Sequence, residues 1–246
     1  MNWKTILTTM CSLAMVAYLV FAFATLSGPV EDKVCRELRV RIEEASQGGF
    51  LCSSEVHTML TADHLSPEGL QMDKIDLAGI ETALESKELI EQAECYTILD
   101  SVVMVEIKQR VPVVHVINSQ GENYYVDSHG DPMPISMYTR DLLVATGHIN
   151  RAYVKKCLAS MANQIQSDPF WHSEIVQLNI LHDGSVELVP RVGNHVIYLG
   201  QPAGVSRKLD RLRKFYLYGL NVAGWNKYSR ISVEFDNQII CKRNTK

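Results

Sequence analysis

The residues of this chain best placed to do chemistry are Asp127-Ser128-His129-Gly130-Asp131, which put two carboxylates, a hydroxyl and an imidazole in one short stretch. Such a group could bind a metal or activate a nucleophile, provided a base and an orienting partner converge on one reacting atom. Asp, Ser and Gly are equally what a hairpin turn requires for left-handed backbone and local hydrogen bonds. The eight histidines are otherwise scattered, and no GxSxG, HExxH, Walker or GxGxxG pattern accompanies them. The stretch therefore reads as a turn, with an exported envelope hydrolase working through Asp127 and His129 as the alternative.

Six cysteines (Cys11, Cys35, Cys52, Cys95, Cys157, Cys241) lie far apart, without a CxxC pair. Zinc-ribbon and thioredoxin readings lack their spacing, and buried free thiols are the expectation. A Cys35–Cys52 disulfide is open to an exported domain. Arg207, Lys208, Arg211 and Lys214 line one side of an amphipathic pattern that starts at Ser206, its expected cap, with Leu209, Leu212, Tyr216 and Leu220 inward. Asp210 dilutes that row, which reads as a solvated face rather than a phosphate site. Trp171 and Trp225 read as core or interface anchors. The net charge of −4 gives no pull towards nucleic acid. No cofactor is implied.

Near the chain end, Ile231, Val233 and Phe235 alternate with Ser232, Glu234 and Asp236, followed by Ile239-Ile240-Cys241 and a basic tail. A short strand at a sheet edge exposes N–H and C=O groups that another chain can complete.

The elements that must position these residues follow from periodicity. Ile6 to Leu26 is 21 residues without a charge, close to the roughly 20 needed to cross a bilayer as a helix. Ala22-Phe23-Ala24 offers a signal-peptide site inside the same run, but an uncleaved anchor is the reading adopted. Lys4 and the amino terminus favour a cytoplasmic start, Lys33, Arg36, Arg39 and Arg41 the reverse. Long trailing domains cross regardless of such charges, which places the bulk outside the cytoplasm.

Ser27-Gly28-Pro29 stops the helix. A strand at Leu38, Val40 and Ile42 follows, broken by Gly48-Gly49. Next comes a helix capped by Ser53 or Ser54, then one capped by Asp76, then a strand from Ile90 to Leu99. After the Asp100-Ser101 turn, Val103, Val105 and Ile107 alternate with Met104, Glu106 and Lys108 until Pro112. This βααββ order gives a small α+β unit with a mixed sheet and both helices on one face.

Beyond it, Val113 to Asn118 and Tyr124 to Val126 read as strands, Asp141 to His148 as irregular. A helix capped by Asn150 ends at Asp168-Pro169. Glu174 to Leu181 and Ser185 to Val189 flank a His182-Asp183-Gly184 turn, and His195 to Leu199 follows Gly193-Asn194.

In order and spacing these features resemble the FtsQ/DivIB family of bacterial cell-division proteins, and the small unit resembles a POTRA domain. The likeness rests on Ile80 to Ile98 running into Val103–Pro112, with an Arg110-Val111-Pro112 exit. It rests also on Asn123–Pro134, on Lys208–Tyr216, and on Ile231–Gln238. Met133 to Tyr138 is most similar to Bacteroidetes-type members. The short cytoplasmic tail departs from the family, as does Ser232 where Asp is frequent.

The resemblance implies a non-enzymatic divisome scaffold. Its parts would be a cytoplasmic tail (1–5), a transmembrane helix (6–26), a POTRA domain (35–110) and a β-rich domain (111–243) with a mixed sheet and flanking helices. It implies an inner-membrane protein at the septum with a periplasmic bulk. FtsB- and FtsL-like partners would be held at a closing strand, Ile231 to Asn237, with Ile231, Val233, Phe235, Asp236, Asn237 and Gln238 as contact residues. Other divisome components would meet the POTRA domain. A POTRA-bearing chaperone is a further alternative, without repeated POTRA units or a C-terminal barrel to favour it.

Overall fold

The computed structural model describes residues 3–26, 33–43, 51–98, 101–135 and 142–244. The expected helix stop at Ser27-Gly28-Pro29, the Gly48-Gly49 break and Asp100 lie outside them. Helix α1 (Trp3–Leu26) is 24 residues long, and its side chains from Leu13 to Phe21 are exposed. Among the described residues no helix is long and apolar enough to cross a membrane. Of α1, only Trp3, Met10 and residues 13–22 have described side chains.

The small unit follows from alternation and capping. Strand β1 (Glu37–Ile42) leads to helix α2 (Ser53–Ala62), helix α3 (Leu77–Glu85), β2 (Ile90–Ile98) and β3 (Val102–Gln109). Cys52, rather than Ser53 or Ser54, is the N-cap of α2; its N–H donates to the Glu55 carboxylate at 2.8 Å, which ties off the first turn. The Asp76 carboxylate accepts from the Gly79 N–H at 2.9 Å and starts α3 as expected.

The sheet order is β1-β3-β2, with β1 parallel and β2 antiparallel to β3. Val103, Val105 and Ile107 of the central strand are buried with Val56 and Leu60 of α2 and Ile80 and Leu84 of α3. Each such side chain contributes roughly 1.5–3 kcal/mol by leaving water.

A second core lies beneath a nine-stranded mixed sheet ordered β12-β11-β10-β9-β8-β7-β4-β5-β6. Its strands are β4 (Pro112–Asn118), β5 (Asn123–Asp127), β6 (Pro132–Met133), β7 (Leu143–Gly147), β8 (Ile175–Ile180), β9 (Val186–Pro190), β10 (Val196–Gly200), β11 (Tyr228–Ser232) and β12 (Ile240–Arg243). Pro112 opens β4, where a missing donor costs least. The stretch expected to be irregular between 141 and 148 instead holds β7, parallel to both β4 and β8. Its buried residues are Leu143 and Ala145, with apolar Val144 between them, so Leu-Val-Ala shows no apolar–polar alternation in the sequence.

One helical run covers residues 151–167. It comprises α4 (Arg151–Tyr153), the π-helical segment Val154–Leu158 and α5 (Ala159–Ser167), started by the Asn150 side chain accepting from the Tyr153 N–H at 2.8 Å. Asp168-Pro169 stops it and at once begins α6 (Pro169–Glu174). Asp168 caps the new helix through the Phe170 N–H at 3.0 Å, with Pro169 in its first turn. Trp171, 1% exposed, drops from α6 into the core.

A second run comprises α7 (Val205–Lys214), the π-helical segment Phe215–Leu220 and α8 (Asn221–Ala223). Its cap is Gly204, left-handed at φ 63, rather than Ser206; the Ser206 hydroxyl donates to Gln164 at 2.9 Å, tying the two runs together. Val154, Leu158, Met161, Leu209, Leu212 and Tyr216 from both runs share the core with Val114, Leu178 and Ile197 of the sheet.

Arg110 joins the two units. Its backbone N–H donates to the Leu89 carbonyl at 3.0 Å and its guanidinium to the Glu88 carbonyl at 3.0 Å, both in the small unit. The same guanidinium grips Asp127 Oδ2 in the large sheet from two nitrogens, at 2.9 and 2.6 Å. The pair is mostly buried, so separating it would leave a carboxylate without its counter-charge.

Candidate protein-binding edge

The closing segment is a hairpin rather than one strand. β11 is parallel to β10, with Ile197 opposite Ile231, and the Val233 N–H extends the contact to the Tyr198 carbonyl at 3.0 Å. The expected strand from Ile231 to Asn237 therefore ends near Val233. Phe235, Asp236 and Asn237 form a turn, Gln238 follows it, and β12 returns antiparallel to β11. Asp and Asn at consecutive positions are turn formers, a signal in the sequence that favoured this outcome.

The six expected contact residues are thus divided. Ile231 and Val233 are fully buried and face the core, whereas Phe235, half exposed, and Asp236, Asn237 and Gln238 stand in solvent. The outermost strand at this end is β12, and among the described residues no strand neighbours its outer backbone groups. Ile240, Lys242 and Arg243 are exposed, while Cys241 packs against the core and burial raises its thiol pKa. Sequence reading noticed Ile239-Ile240-Cys241 but did not make it the edge.

The supposed basic face of α7 does structural work here. Lys208 is buried and donates to the carbonyls of Leu199 at 3.0 Å and Gln201 at 2.8 Å. Burial lowers its pKa, a shift that the nearby Glu234 opposes. Arg211 donates to the carbonyls of Phe235 and Val233, the latter at 2.7 Å. Among the described residues these two oxygens have no backbone partner along the ladder, and the guanidinium fork fixes the backbone that presents Phe235. Between this turn and the end of the helical run lies an open groove of about 530 Å³, lined by Arg211, Phe215, Tyr218, Asp236 and Ile239. Tyr218 and Val222, 75% and 88% exposed, stand on the same helical run.

The Asp127–Asp131 stretch is the turn between β5 and β6. Asp127 Oδ1 accepts from the His129 and Asp131 N–H groups at 3.0 and 2.8 Å, and Oδ2 is held by Arg110. Asp131 pairs with Lys155 at 2.8 Å, and that hydrogen bond holds its carboxyl below the usual range. The His129 ring lies 3.4 Å from the Ser128 hydroxyl. The carboxylates are spent on the turn, and none orients the imidazole as a general base would need.

The larger groove beside it, about 770 Å³, contains Asp168 and Arg213, already paired with each other. Among the described residues no group of three or more His, Cys, Asp and Glu could hold a metal. Cys35 and Cys52 are both free thiols.

A small mixed-sheet unit with two helices is joined to a large sheet that ends in an open hairpin edge, a two-part α+β architecture. Residues 33–108 match a family model described as a POTRA-like domain, and residues 111–242 match one described as FtsQ/DivIB, C-terminal related. The second match covers over half of the chain, which therefore belongs to the FtsQ/DivIB family. No curated protein matches the chain. Membership carries a cell-division scaffold role, in a family of generally non-catalytic proteins.

Proposed function

We propose that this chain is a single-pass inner-membrane scaffold of the divisome which captures an FtsB-like partner, together with its FtsL-like companion, by adding a partner strand to β12. The observation that carries the reading is the open edge of β12, flanked by the exposed turn Phe235–Gln238. Residues 6–26 serve as the anchor, since 21 uncharged residues suffice to span the hydrocarbon layer. Residues 1–5 then lie in the cytoplasm, and the POTRA domain (35–110) and β domain (111–243) lie in the periplasm at the septum. The POTRA domain meets further divisome components.

Neighbouring residues of an edge strand point their N–H groups in opposite directions, one at the sheet and one at solvent. Cys241→Pro and Lys242→Pro should therefore differ. One disturbs the β11 ladder and lowers the thermal midpoint; the other spares the fold and abolishes co-purification of the FtsB-like partner. Wild-type capture by both variants would rule out strand addition at β12.

A further inference from the structure

Three neighbouring parallel strands, β4, β7 and β8, end on the same side of the large sheet, away from the Arg110 join at the start of β4. In open sheets of parallel strands, ligands bind beyond the carboxyl ends. The residues that follow these three ends are Ser119, His148 and Leu181-His182. The His148 and His182 rings have centres 4.8 Å apart and planes inclined at 59°. Both are exposed and lie far apart in the sequence, so only the sheet brings them together.

The backbone beneath the pair is fixed. Gly147 is left-handed at φ 100, and a Cβ there would collide with the Ile180 carbonyl oxygen. Without one, that oxygen comes close enough to accept from the His148 N–H at 2.9 Å. The Ser119 N–H donates to the Gly147 carbonyl at 2.8 Å. The Tyr153 hydroxyl donates to the Gly184 carbonyl at 3.1 Å, tying the helix start to the turn that carries His182. The Ser119 hydroxyl also lies 3.5 Å from His148 Nδ1. A proton on Nδ1, directed at that oxygen, leaves the Nε2 lone pair free for a metal.

Imidazole nitrogen suits divalent first-row ions such as Zn²⁺, Ni²⁺ and Cu²⁺. With metal–nitrogen bonds of about 2.0–2.1 Å, two imidazoles on one ion at roughly 90–109° have ring centres roughly 4.5–5.2 Å apart. The observed separation falls inside that range. We propose that His148 and His182 form a two-point chelate for a divalent first-row transition ion, with water completing its coordination. The adjacent Asp183 is not a third ligand, because its carboxylate accepts from the Ser185 N–H at 3.0 Å and the Ser185 hydroxyl at 2.6 Å. Two protein ligands make an exchangeable site rather than the closed set of four that a structural zinc takes. A bound ion would fasten the β8–β9 turn to the end of β7.

The test uses the full-length chain in neutral detergent and Ni²⁺ alone. Calorimetry should show Ni²⁺ binding that His148→Ala and His182→Ala each weaken at least about tenfold, and the double variant little further, since either loss ends chelation. The metal-free thermal midpoint should stay put in all three, because both side chains are exposed. Binding should also weaken on acidification, since a protonated imidazole cannot ligate.

A second measurement needs no variant. Ni²⁺ should shield His148 and His182 together from acylation by diethyl pyrocarbonate, mapped by peptide mass, while exposed His64, His129 and His172 stay reactive. Absence of Ni²⁺ binding, wild-type affinity in either single variant, or shielding that omits one of the pair would overturn the proposal.

Discussion

In the three-stranded sheet, Arg41 of β1 lies opposite Glu106 of β3 and bonds it at 3.3 Å, Lys108 reaches Glu91 at 2.8 Å, and the Tyr96 hydroxyl donates to Glu106 at 3.1 Å. Glu94 also lies opposite Glu106, so even its one like-charge pair has a cation and a donor close by. At the outer end of the nine-stranded sheet, Arg230 faces Lys242; Glu187 pairs with Arg230 at 2.8 Å, and among the described residues no acid pairs with Lys242. The small sheet answers its exposed charge internally, whereas Lys242 and Arg243 at the β12 edge stand in solvent. Both are solvent-facing strands of the same chain, and they differ in how fully their charges are paired within it.

The comparison also extends to the cores, which are separate clusters joined through Arg110. The sharpest way to break it is from within. Trp171→Ala should cost about 3–5 kcal/mol in the large core, and Ile107→Ala about 2–5 kcal/mol in the small one. Hydrogen exchange should register each loss in its own unit; loss of protection in both from either variant would show one cooperative body.

Arg110→Ala, at the join, should cost about 3 kcal/mol by stranding Asp127. It should also widen the distribution of distances between spin labels placed on the two units, and an unaltered distribution would locate the coupling elsewhere.

Arg211→Ala should cost about 1–2 kcal/mol, while amides 234–239 exchange faster and partner capture weakens. Arg211→Lys should restore little of this, because an ammonium cannot reproduce the two-pronged contact. Full rescue by Lys would reduce Arg211 to a simple charge.

The smallest effect belongs to the surface of the small sheet. Arg41→Ala should leave the thermal midpoint within about a degree and partner capture intact. A division defect at normal protein level would mean that the small sheet's charges also face a partner.

The β5–β6 turn and the β11–β12 turn show how far the sequence could be read. Asp127-Ser128-His129-Gly130-Asp131 was legible as a turn because the residue types demand specific backbone, and the contacts of Asp127 bear that out. Phe235-Asp236-Asn237 carried a turn signal too, yet the alternation from Ile231 to Phe235 outweighed it. In the structure the strand runs out at Ser232, and Arg211, distant in sequence, holds the oxygens that a longer strand would have paired. Arg211 and Lys208 read as solvated because helical periodicity reports which side of a helix a residue occupies; it does not report what later chain folds over that side.

The sequence by itself determined the elements with strong local cause: the βααββ order, the Asp76 and Asn150 caps, the His182-Asp183-Gly184 hairpin and the uncharged run near the start. These depend on periods of two or 3.6 residues and on turn chemistry, all contained within a few neighbours. Only the tertiary structure decided that β7 lies inside the sheet, that Lys208 is buried, and that β12 rather than β11 stands at the edge. Strand order and the pairing of charges are relations between distant segments, set when one core closes around them, and no local pattern encodes which strand is left without a neighbour.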